Sequence, residues 1–455
     1  MKMTVSQILD ACKGTLLCGE KDTVIQSVCI DSRKVTPGAL FVPIKGERNN
    51  GHDYIDSVLE AGAAATLTQE HDHAQGQQAW IRVEDTQKAL QDIAAAYRSW
   101  FSIPFVGITG SVGKTTTKEM VALALSAGFH VMKTAGNFNS QIGLPLTLFQ
   151  LQPEDTAAVI EMGMSDFGEM ERLTQIARPQ YAIVTNIGIS HIENLKTQEN
   201  IMAEKLHITD AFTEDSVLFL NADDPLLFTI SKWDLGKLVT YGTSETADYR
   251  ASQVMVQGRE TIYTLHTPAQ TRVVTLPALG MHNVLNSLAA IAVSEHLGLE
   301  LDEVLVKLRS YTPPTMRQEI HEVHGITVID DSYNASPDSI KSGVDVLCSL
   351  EHPGRRVAVL ADMLELGDIA HLAHFDVGVH VAKAGVEMLV GIGSWAKQMA
   401  EGALSVNPTM QTVLCKDNQQ ALDVLQKEIR QGDCILVKGS RSMKTDEIVK
   451  ELLQR

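Results

Sequence analysis

The spacing of hydrophobic positions in the first hundred residues predicts short strands mixed with helices. Apolar runs at 24–30, 40–44, 66–68 and 80–83 are typical of strands. Apolar residues at a spacing near 3.6 predict a helix over 86–100. Pro104 cannot continue this helix, because a proline lacks the backbone donor and restricts the residue before it. We therefore predict a small α/β domain over residues 1–103.

From residue 105 the pattern changes to strands that alternate with helices, which is typical of a doubly wound sheet. Strands are predicted at 105–109, 156–161, 181–185, 217–220 and 237–241. Alternating runs at 261–266 and 271–276 predict a β insertion, and a helix rich in Leu and Ala begins near Met281. Pro313 and Pro314 follow, and paired prolines cannot continue a helix. Residues 104–312 are therefore predicted to form a central domain with a mostly parallel sheet.

The remaining residues again alternate strands with helices. Strands are predicted at 326–330, 356–361, 388–392, 412–415 and 434–437. This pattern predicts a C-terminal, Rossmann-like open α/β domain over 313–455. A length of 455 residues suits about three domains, each large enough for its own core. The predicted fold class is thus α/β with three domains.

The charge of the chain excludes some classes of partner. It has 38 Lys and Arg residues against 56 Asp and Glu, a formal net charge of -18. Because nucleic-acid binding depends on clustered basic residues, we expect no nucleic-acid partner. No apolar run approaches the roughly 18 residues that cross a bilayer, and the start of the chain lacks an apolar signal core. We expect a cytoplasmic protein without membrane insertion.

The six cysteines are Cys12, Cys18, Cys29, Cys348, Cys415 and Cys434. They are scattered without a Cys-x-x-Cys pair, so neither a disulfide framework nor a zinc site is indicated. We interpret them as buried small hydrophobic residues.

A strand that runs into a glycine turn, a lysine and a helix carries the strongest chemical signal. The segment comprises Gly110, Ser111, Val112, Gly113, Lys114, Thr115 and Thr116. In such a loop backbone N–H groups surround phosphate oxygens, the lysine reaches the β- and γ-phosphates and the hydroxyl binds Mg²⁺. The strict motif has a glycine where this chain has Ile108, so the form here is the shorter Gly-x-x-Gly-Lys-Thr. We predict a nucleotide-phosphate site and reject the alternative of an ordinary glycine turn.

Two further polar residues follow strands of the same predicted sheet. Glu161 ends one strand and His191 comes shortly after another, at the sheet edge where open α/β proteins bind ligands. A carboxylate there can hold Mg²⁺ beside the phosphates, although a strand-ending Glu without a ligand is as common. An isolated His is more often structural. Lys205, taken by its neighbours alone, is interpreted as a solvated helix lysine.

A third group lies around the second domain boundary. Asn283 and Asn286 stand three residues apart at a helix start, Arg317 follows the prolines, and Asp331 closes a strand. Each residue is weak evidence by itself, since Asn and Asp commonly build turns. Together they could close an adenosine pocket across the boundary.

At this point the motifs resemble the Mur ligase family over nearly the whole chain. They are Asp-Ser-Arg at 31–33, Gly-Ser-Val-Gly-Lys-Thr-Thr-Thr-Lys-Glu at 110–119, Thr-Ala-Gly-Asn-Phe-Asn-Ser-Gln-Ile-Gly-Leu-Pro at 134–145, Gly-Met-His-Asn-Val-Leu-Asn at 280–286, Asp-Asp-Ser-Tyr-Asn-Ala-Ser-Pro at 330–337 and Leu-Val-Lys-Gly-Ser-Arg at 436–441. The resemblance implies an ATP-dependent amide ligase. Its substrates would be UDP-N-acetylmuramoyl-tripeptide and D-alanyl-D-alanine, joined through an acyl phosphate in peptidoglycan precursor synthesis.

The resemblance also implies roles for individual residues. Catalytic roles would fall to Lys114, Glu161, His191, Lys205 and Arg317. Two Mg²⁺ ions would be held by Thr115, Glu161, His191 and a Lys205 that CO₂ has carbamylated. The nucleotide would also be contacted by Asn137, Asn283, Asn286, Arg317 and Asp331. The other substrates would be bound by Ser32, Arg33, Asn139, Asp362, Glu365, Lys438 and Arg441. The resemblance further implies that the C-terminal domain closes over ATP about a hinge near Pro313 and Pro314, and we expect a monomer.

Two other functions compete with this interpretation. One is a different ligase of the same superfamily, such as folylpolyglutamate synthetase or another Mur ligase, which the front motif and the 134–145 stretch disfavour. The other is a P-loop regulatory ATPase, which leaves the first domain unexplained. The sequence leaves open whether the third residue of the tripeptide is diaminopimelate or lysine.

Overall fold

The computed structural model describes residues 1–46, 49–230 and 236–454. Within these ranges the chain forms three main sheets in succession, each flanked by helices, and a short pair of strands near the N-terminus. No helix in the described part of the chain is both long and apolar enough to cross a membrane.

In the described ranges seven short strands lie near the N-terminus, of which five form the first sheet and two form a separate pair. The strands are β1 (Met3–Thr4), β2 (Thr15–Cys18), β3 (Val24–Ile25), β4 (Ser27–Cys29), β5 (Ala39–Phe41), β6 (Ala65–Thr68) and β7 (Ala79–Arg82), and the helices are α1 (Val5–Cys12), α2 (Ile55–Glu60) and α3 (Thr86–Arg98). The sheet order is β2-β7-β6-β5-β4, parallel except for β2, while β1 pairs with β3. The predicted helix over 86–100 is thus confirmed as α3, whose first turn is capped by the Asp85 side chain.

The central sheet follows. Its strands are β8 (Phe105–Thr109), β9 (Val131–Lys133), β10 (Ala157–Glu161), β11 (Tyr181–Val184), β12 (Val217–Asn221), β13 (Lys237–Gly242), β14 (Tyr249–Gln257), β15 (Glu260–His266) and β16 (Thr271–Leu276). Its helices are α4 (Lys114–Leu125), α5 (Gly143–Leu148), α6 (Glu169–Ala177), α7 (Ile192–Leu195), α8 (Gln198–Leu206), α9 (Met281–His296) and α10 (Leu301–Leu308). The order is β16-β15-β14-β13-β12-β11-β8-β10-β9, parallel from β9 to β14 and antiparallel beyond.

The C-terminal sheet completes the fold. Its strands are β17 (Glu319–Val323), β18 (Ile326–Asp330), β19 (Arg356–Ala361), β20 (Met388–Ile392), β21 (Gln411–Cys415) and β22 (Cys434–Lys438), and its helices are α11 (Pro337–Ser349), α12 (Ala370–Lys383), α13 (Ala396–Val406), α14 (Asn418–Glu428) and α15 (Asp446–Gln454). The order is β17-β18-β22-β19-β20-β21, with β17 antiparallel to β18 and the others parallel. The α/β class and the mostly parallel sheets agree with the sequence prediction.

Hydrophobic cores do not follow the three sheets one by one. One cluster runs from the first sheet through α3 to one face of the central sheet, including Ile93, Tyr97 and Phe105. The guanidinium of Arg98, at the end of α3, donates to the carbonyl oxygens of Ala177 and Arg178 and stacks over the Phe105 ring. The C-terminal sheet has two clusters of its own, one on each face. The first domain therefore has a smaller cluster of its own, which includes Phe41, Ile55 and Trp80, and shares its larger cluster with the central sheet.

The predicted runs at 261–266 and 271–276 form β15 and β16, which extend the central sheet beyond β14, a strand that the hydrophobic pattern missed. The bulge between Ser252 and Met255, where Gln253 has φ +52°, interrupts the alternation of β14. All six cysteines are free thiols, but only Cys415 and Cys434 are buried, so the burial prediction is wrong for the other four.

Candidate active site

The phosphate-type loop joins β8 to α4 at the centre of the parallel sheet. Strand β8 is buried between β10 and β11, and α4 begins at Lys114. Gly110 has φ +146°, and a Cβ there would lie 1.8 Å from Oγ1 of Thr185. Gly113 has φ +87° in the turn before the helix. Only glycine fits both positions, which explains why the sequence carries this turn.

The end of β11 fixes the shape of this loop. The Val112 N–H donates to Oδ1 of Asn186 at 2.9 Å, and the Val112 carbonyl accepts from Asn186 Nδ2 at 3.0 Å and from Thr185 Oγ1 at 2.6 Å. The Ser111 N–H donates to the Asn186 carbonyl at 3.1 Å. Ser111 and Val112 were predicted to offer N–H groups to phosphate, and the structure corrects this because both N–H groups are already bonded within the protein.

The next backbone N–H groups remain available for an anion. Those of residues 113–116 donate no hydrogen bond in the part of the chain that the structure describes. They stand at the N-terminus of α4, where the helix dipole favours negative charge. The Lys114 ammonium lies over the loop and donates to the Gly110 carbonyl at 2.7 Å. Burial lowers the pKa of Lys114, and the Glu161 carboxylate opposes this decrease. The positive charge of Arg317 lowers the pKa of Lys114 further.

Glu161, at the carboxyl end of β10, is a buried carboxylate with one uncommitted oxygen. Its Oε1 accepts from Asn139 Nδ2 at 2.7 Å, while Oε2 has no hydrogen-bond partner among the described residues. The ammonium of Lys118, itself buried, lies 3.9 Å from Oε2 and donates to the Thr134 carbonyl at 2.8 Å. Sequence reasoning missed Lys118, whose burial depends on the packing of α4 against β9 and β10. A buried carboxylate oxygen without a donor fits a cation ligand.

His191 contacts the C-terminal part of the chain. Its Nδ1 lies 2.5 Å from Oε2 of Glu365, and the hydrogen bond from His191 lowers the pKa of the Glu365 carboxyl. The Nε2 of His191 makes no hydrogen bond in the described structure. His191 has φ +63° at the turn that begins α7. Glu365, predicted to contact substrate, therefore reaches the predicted metal residue His191.

Lys205 is not the solvated lysine that its neighbours in sequence indicate. Its side chain is 1% exposed, on the inner side of α8. Burial lowers the pKa of the Lys205 ammonium well below its ordinary value, and the positive charge of Lys114 adds to that shift. The Glu204 carboxylate, which accepts from the Gly168 and Met170 N–H groups at the start of α6, opposes this shift. The surroundings of Lys205 therefore favour the neutral amine more than water does.

The C-terminal sheet supplies the opposite wall of the site. Lys438, at the end of β22, bonds Asp331 Oδ2 at 2.7 Å and the Asn334 carbonyl at 3.0 Å. Burial raises the pKa of Asp331, and the Lys438 charge opposes the increase. The guanidinium of Arg317 stacks on the Tyr333 ring at 4.2 Å. Lys438 was predicted for the dipeptide, and the structure places it beside the predicted ribose residue Asp331.

The paired asparagines of α9 connect this wall to the phosphate loop. Asn286 Oδ1 accepts from the Thr117 hydroxyl at 2.9 Å, and Asn286 Nδ2 lies 3.5 Å from Asn283 Oδ1. Asn283 Nδ2 donates to the Leu279 carbonyl at 2.8 Å. Both side chains are buried, and Asn286 contacts the first turn of α4, the helix that follows the loop.

A cavity of about 450 Å³ lies between the central and C-terminal sheets. Of the predicted nucleotide and metal residues, it is lined by Ser111, Val112, Gly113, Lys114, Thr115, Thr116, Asn137, Glu161, His191, Asn283, Asn286, Arg317 and Asp331. Asn139 and Lys438, from the predicted substrate set, also line it. Its volume, its anion-binding helix N-terminus and its cation-binding carboxylate together suit a nucleotide with a metal ion.

The other predicted residues lie outside this lining. They are Gly110, Lys205, Ser32, Arg33, Asp362, Glu365 and Arg441. Arg33 bonds Asp31 within the same turn of the first domain, and its side chain is 85% exposed. Both oxygens of Asp362 accept backbone N–H groups, from Ser394 at 2.8 Å and Trp395 at 3.0 Å, so this carboxylate holds the turn before α13.

Comparison with known families matches almost the entire chain. The family model for the Mur ligase middle domain matches residues 108–294. The model described as Mur ligase, glutamate ligase domain, matches residues 316–441. The model described as Mur ligase family, catalytic domain, matches residues 24–98. Most of each of the three sheets therefore lies within a segment matched by one family.

Individual relatives agree with these matches. A Bacillus subtilis (strain 168) protein named UDP-N-acetylmuramoyl-tripeptide–D-alanyl-D-alanine ligase is 37% identical over 457 residues, covering 100% of this chain and 99% of the relative. The crystal structure I of MurF from Acinetobacter baumannii has a TM-score of 0.92 at 27% identity, covering 100% and 99% of the two chains. A MurF ligase structure from Thermotoga maritima in complex with ADP has a TM-score of 0.84 at 27% identity, covering 94% and 97%. With its loop, its cavity and these full-length matches, the chain belongs to the Mur ligase family.

Proposed function

We propose that this chain is the ATP-dependent ligase that joins D-alanyl-D-alanine to UDP-N-acetylmuramoyl-tripeptide, giving UDP-N-acetylmuramoyl-pentapeptide, ADP and phosphate. The observation that carries the proposal is a cavity lined both by the phosphate loop and by Arg317, Asp331 and Lys438. Full-length relatives that bear this activity in their names support the choice of substrates. The product is a precursor of peptidoglycan.

ATP occupies the cavity with its phosphates at the start of α4. The free N–H groups of residues 113–116 and the Lys114 ammonium bind the phosphate oxygens. In this proposal Asn283 and Asn286 contact the adenosine, Arg317 the phosphates and Asp331 the ribose, and all four residues line the cavity. The Thermotoga maritima relative forms a complex with ADP, which supports a nucleotide as a ligand of this chain.

Two Mg²⁺ ions fit the donor set around Glu161. The uncommitted Oε2 of Glu161 and the Thr115 hydroxyl are hard oxygen ligands of the type Mg²⁺ prefers. His191 is proposed to contribute through Nε2, because Glu365 occupies its Nδ1. When bound, Mg²⁺ neutralises charge that the phosphates share with an incoming carboxylate.

Lys205 is proposed to carry a carbamate made from CO₂. Carbamylation requires the neutral amine, and burial together with the Lys114 charge lowers the pKa of Lys205 in that direction. The modified side chain would be an anion with oxygen donors, which suits the neighbourhood of Lys114 and of bound cations better than an ammonium. A ¹³C-bicarbonate carbamate signal, present in this chain and absent in Lys205→Ala, would test the modification itself.

The reaction follows from the chemistry of the two substrates. A carboxylate does not condense with an amine unless one of its oxygens becomes part of a good leaving group. The tripeptide carboxylate attacks the γ-phosphorus of ATP, ADP leaves, and an acyl phosphate forms. The dipeptide amine then attacks the acyl carbon, phosphate leaves, and the nitrogen loses a proton to give the amide. Lys114 and Arg317, which line the cavity, would hold the phosphates while negative charge moves between them. Closure of residues 313–455 over the cavity would exclude water that hydrolyses the acyl phosphate.

The remaining substrate contacts belong to the same proposal. Residues 1–103 would hold the uridine diphosphate end through Ser32 and Arg33. Residues 104–312 would bind ATP, and residues 313–455 would close over it and bind the dipeptide near Glu365 and Arg441. Asp362 acts indirectly here, by shaping the turn at 393–395. A monomer in the cytoplasm suffices for this scheme, since one chain supplies all the cavity walls described.

The test is phosphate release from ATP and Mg²⁺, measured with each substrate alone and with both, and mass spectrometry of the nucleotide product. Release that requires both substrates and yields the pentapeptide supports the proposal. Release independent of both would instead indicate a regulatory ATPase. Activity with another acceptor, and none with D-alanyl-D-alanine, would indicate a different ligase of the superfamily.

A further inference from the structure

Asn186 is a cavity-lining residue to which the sequence pattern and the family resemblance gave no role. It stands two positions beyond the end of β11, the strand that pairs with β8 in parallel. In a parallel pair the carboxyl ends of both strands meet at one edge, so Asn186 and the phosphate loop lie side by side. Its side chain is directed at the loop backbone.

The amide of Asn186 satisfies both backbone groups of one loop residue. Oδ1 accepts the Val112 N–H at 2.9 Å, and Nδ2 donates to the Val112 carbonyl at 3.0 Å. The Thr185 hydroxyl is a second donor to the same carbonyl, at 2.6 Å. The backbone of Asn186 contributes as well, because its carbonyl accepts the Ser111 N–H at 3.1 Å.

The direction of the Val112 peptide groups matters for an anion. A carbonyl oxygen turned toward the cavity would repel phosphate oxygens, whereas N–H groups attract them. Two donors hold the Val112 carbonyl against β11, which leaves the free N–H groups of residues 113–116 as the next donors along the chain. The loop is therefore arranged for an anion before any ligand arrives.

We propose that Asn186 is a positioning residue for nucleotide binding: by fixing both peptide groups of Val112 it pre-organises the phosphate loop. It acts through the loop backbone and not by contact with the reacting atoms. The inference rests on the proposed function only in that the loop binds a nucleotide, so it is tested with ADP and Mg²⁺ alone, by calorimetric titration.

The variants separate the two halves of the amide. Asn186→Ala removes both side-chain bonds, and we expect ADP to bind about 10- to 100-fold more weakly. Asn186→Asp keeps the acceptor for the Val112 N–H but sets a carboxylate oxygen against the Val112 carbonyl. Its ADP affinity should therefore fall at least as much as that of Asn186→Ala. Thr185→Val removes one of two donors to that carbonyl and should weaken ADP binding less than Asn186→Ala.

Asn200→Ala is the matched control. Asn200 also donates from its side chain to a backbone carbonyl, that of Leu195 at 2.8 Å, but it does not line the cavity. The ADP affinity of Asn200→Ala should stay within twofold of the affinity of the unsubstituted chain. In steady-state assays Asn186→Ala should raise KM for ATP and leave KM for D-alanyl-D-alanine unchanged, a split that general destabilisation would not produce. Equal ADP affinity in Asn186→Ala and Asn200→Ala would overturn the proposal.

A measurement on the unsubstituted chain guards against variants that fail to fold. In amide hydrogen exchange without nucleotide, the Val112 N–H should already be protected, and the N–H groups of residues 113–116 should gain protection only when ADP and Mg²⁺ are added. A Val112 amide that exchanges freely until ADP arrives would show that the loop is ordered by its ligand and not by Asn186. Loss of pentapeptide synthesis with these exchange results intact would count against the proposed function alone.

Discussion

Gly110→Ala tests whether the turn after β8 is set by close contact with β11. The added Cβ would lie 1.8 Å from Thr185 Oγ1 and 3.0 Å from Thr185 Cβ, at a φ of +146°. A side chain at such a φ costs about 1–3 kcal/mol, and overpacking in a filled interior costs about 1–3 kcal/mol more. We expect the free energy of unfolding to fall by about 2–6 kcal/mol.

A double-mutant cycle separates the two terms. Thr185→Ala alone loses the hydrogen bond to the Val112 carbonyl and should cost about 1 kcal/mol. The double variant Gly110→Ala/Thr185→Ala lacks the worst contact. Its free energy of unfolding should therefore be about 1–3 kcal/mol higher than the value obtained by adding the two single losses. The assay is urea unfolding followed by far-UV circular dichroism, combined with ADP titration of each folded variant.

Gly258→Ala provides the matched control. Gly258 has φ +61°, but a Cβ there meets nothing within 4 Å, so only the backbone strain remains. Gly258→Ala should therefore lower the free energy of unfolding by less than Gly110→Ala does. If the cycle is additive, or if Gly258→Ala costs as much as Gly110→Ala, contact with Thr185 does not require the glycine and the reasoning fails.

Three other substitutions probe separate parts of the molecule. Lys205→Ala should keep its fold, because the ammonium makes no hydrogen bond or ion pair among the described residues, and should lower ligase turnover at least about 100-fold if a carbamate serves the reaction; unchanged turnover would exclude that role. Arg98→Met leaves three carbonyl groups without their donor, so the free energy of unfolding should fall by about 2–4 kcal/mol in urea unfolding. The activity of the folded molecules should not change. Burial lowers the pKa of His374, whose Nε2 accepts the Met363 N–H, so the fold prefers the neutral ring. The unfolding free energy should therefore drop as pH falls below about 6.5, and His374→Gln should flatten that drop; parallel pH curves would contradict this.

Local signals made the phosphate loop predictable from the sequence. A buried strand, two glycines and a lysine before a helix are contiguous, and the predicted strand 105–109 matches β8 as found. Asn186 could not be found in this way, because its role depends on which strand lies beside β8. Strand order in a doubly wound sheet is set by crossover connections and not by local spacing.

Burial of charged residues was the harder part. Lys205 follows a glutamate on a helix with a weak apolar face, so only packing beneath α8 reveals that its amine is enclosed. The pairing of Lys438 with Asp331 joins positions 107 residues apart. The parallel register of β18 and β22, in which Asp330 lies opposite Val437, brings the two together. Knowing that β18 and β22 are neighbours would have been enough to predict that Lys438 lies beside Asp331 at the cavity.

The core shared by the first and central sheets also has a consequence for synthesis on the ribosome. Helix α3 packs against α1 of the first domain and also against α5 and α6, which are translated later. The part of its surface that faces α5 and α6 is covered only when residues up to about 177 have emerged. At roughly 5–20 residues per second this leaves the surface uncovered for about 4–16 seconds. The C-terminal sheet, with cores of its own, has no such wait. The nascent chain is therefore most exposed to aggregation or chaperone capture between the first and second thirds of its translation.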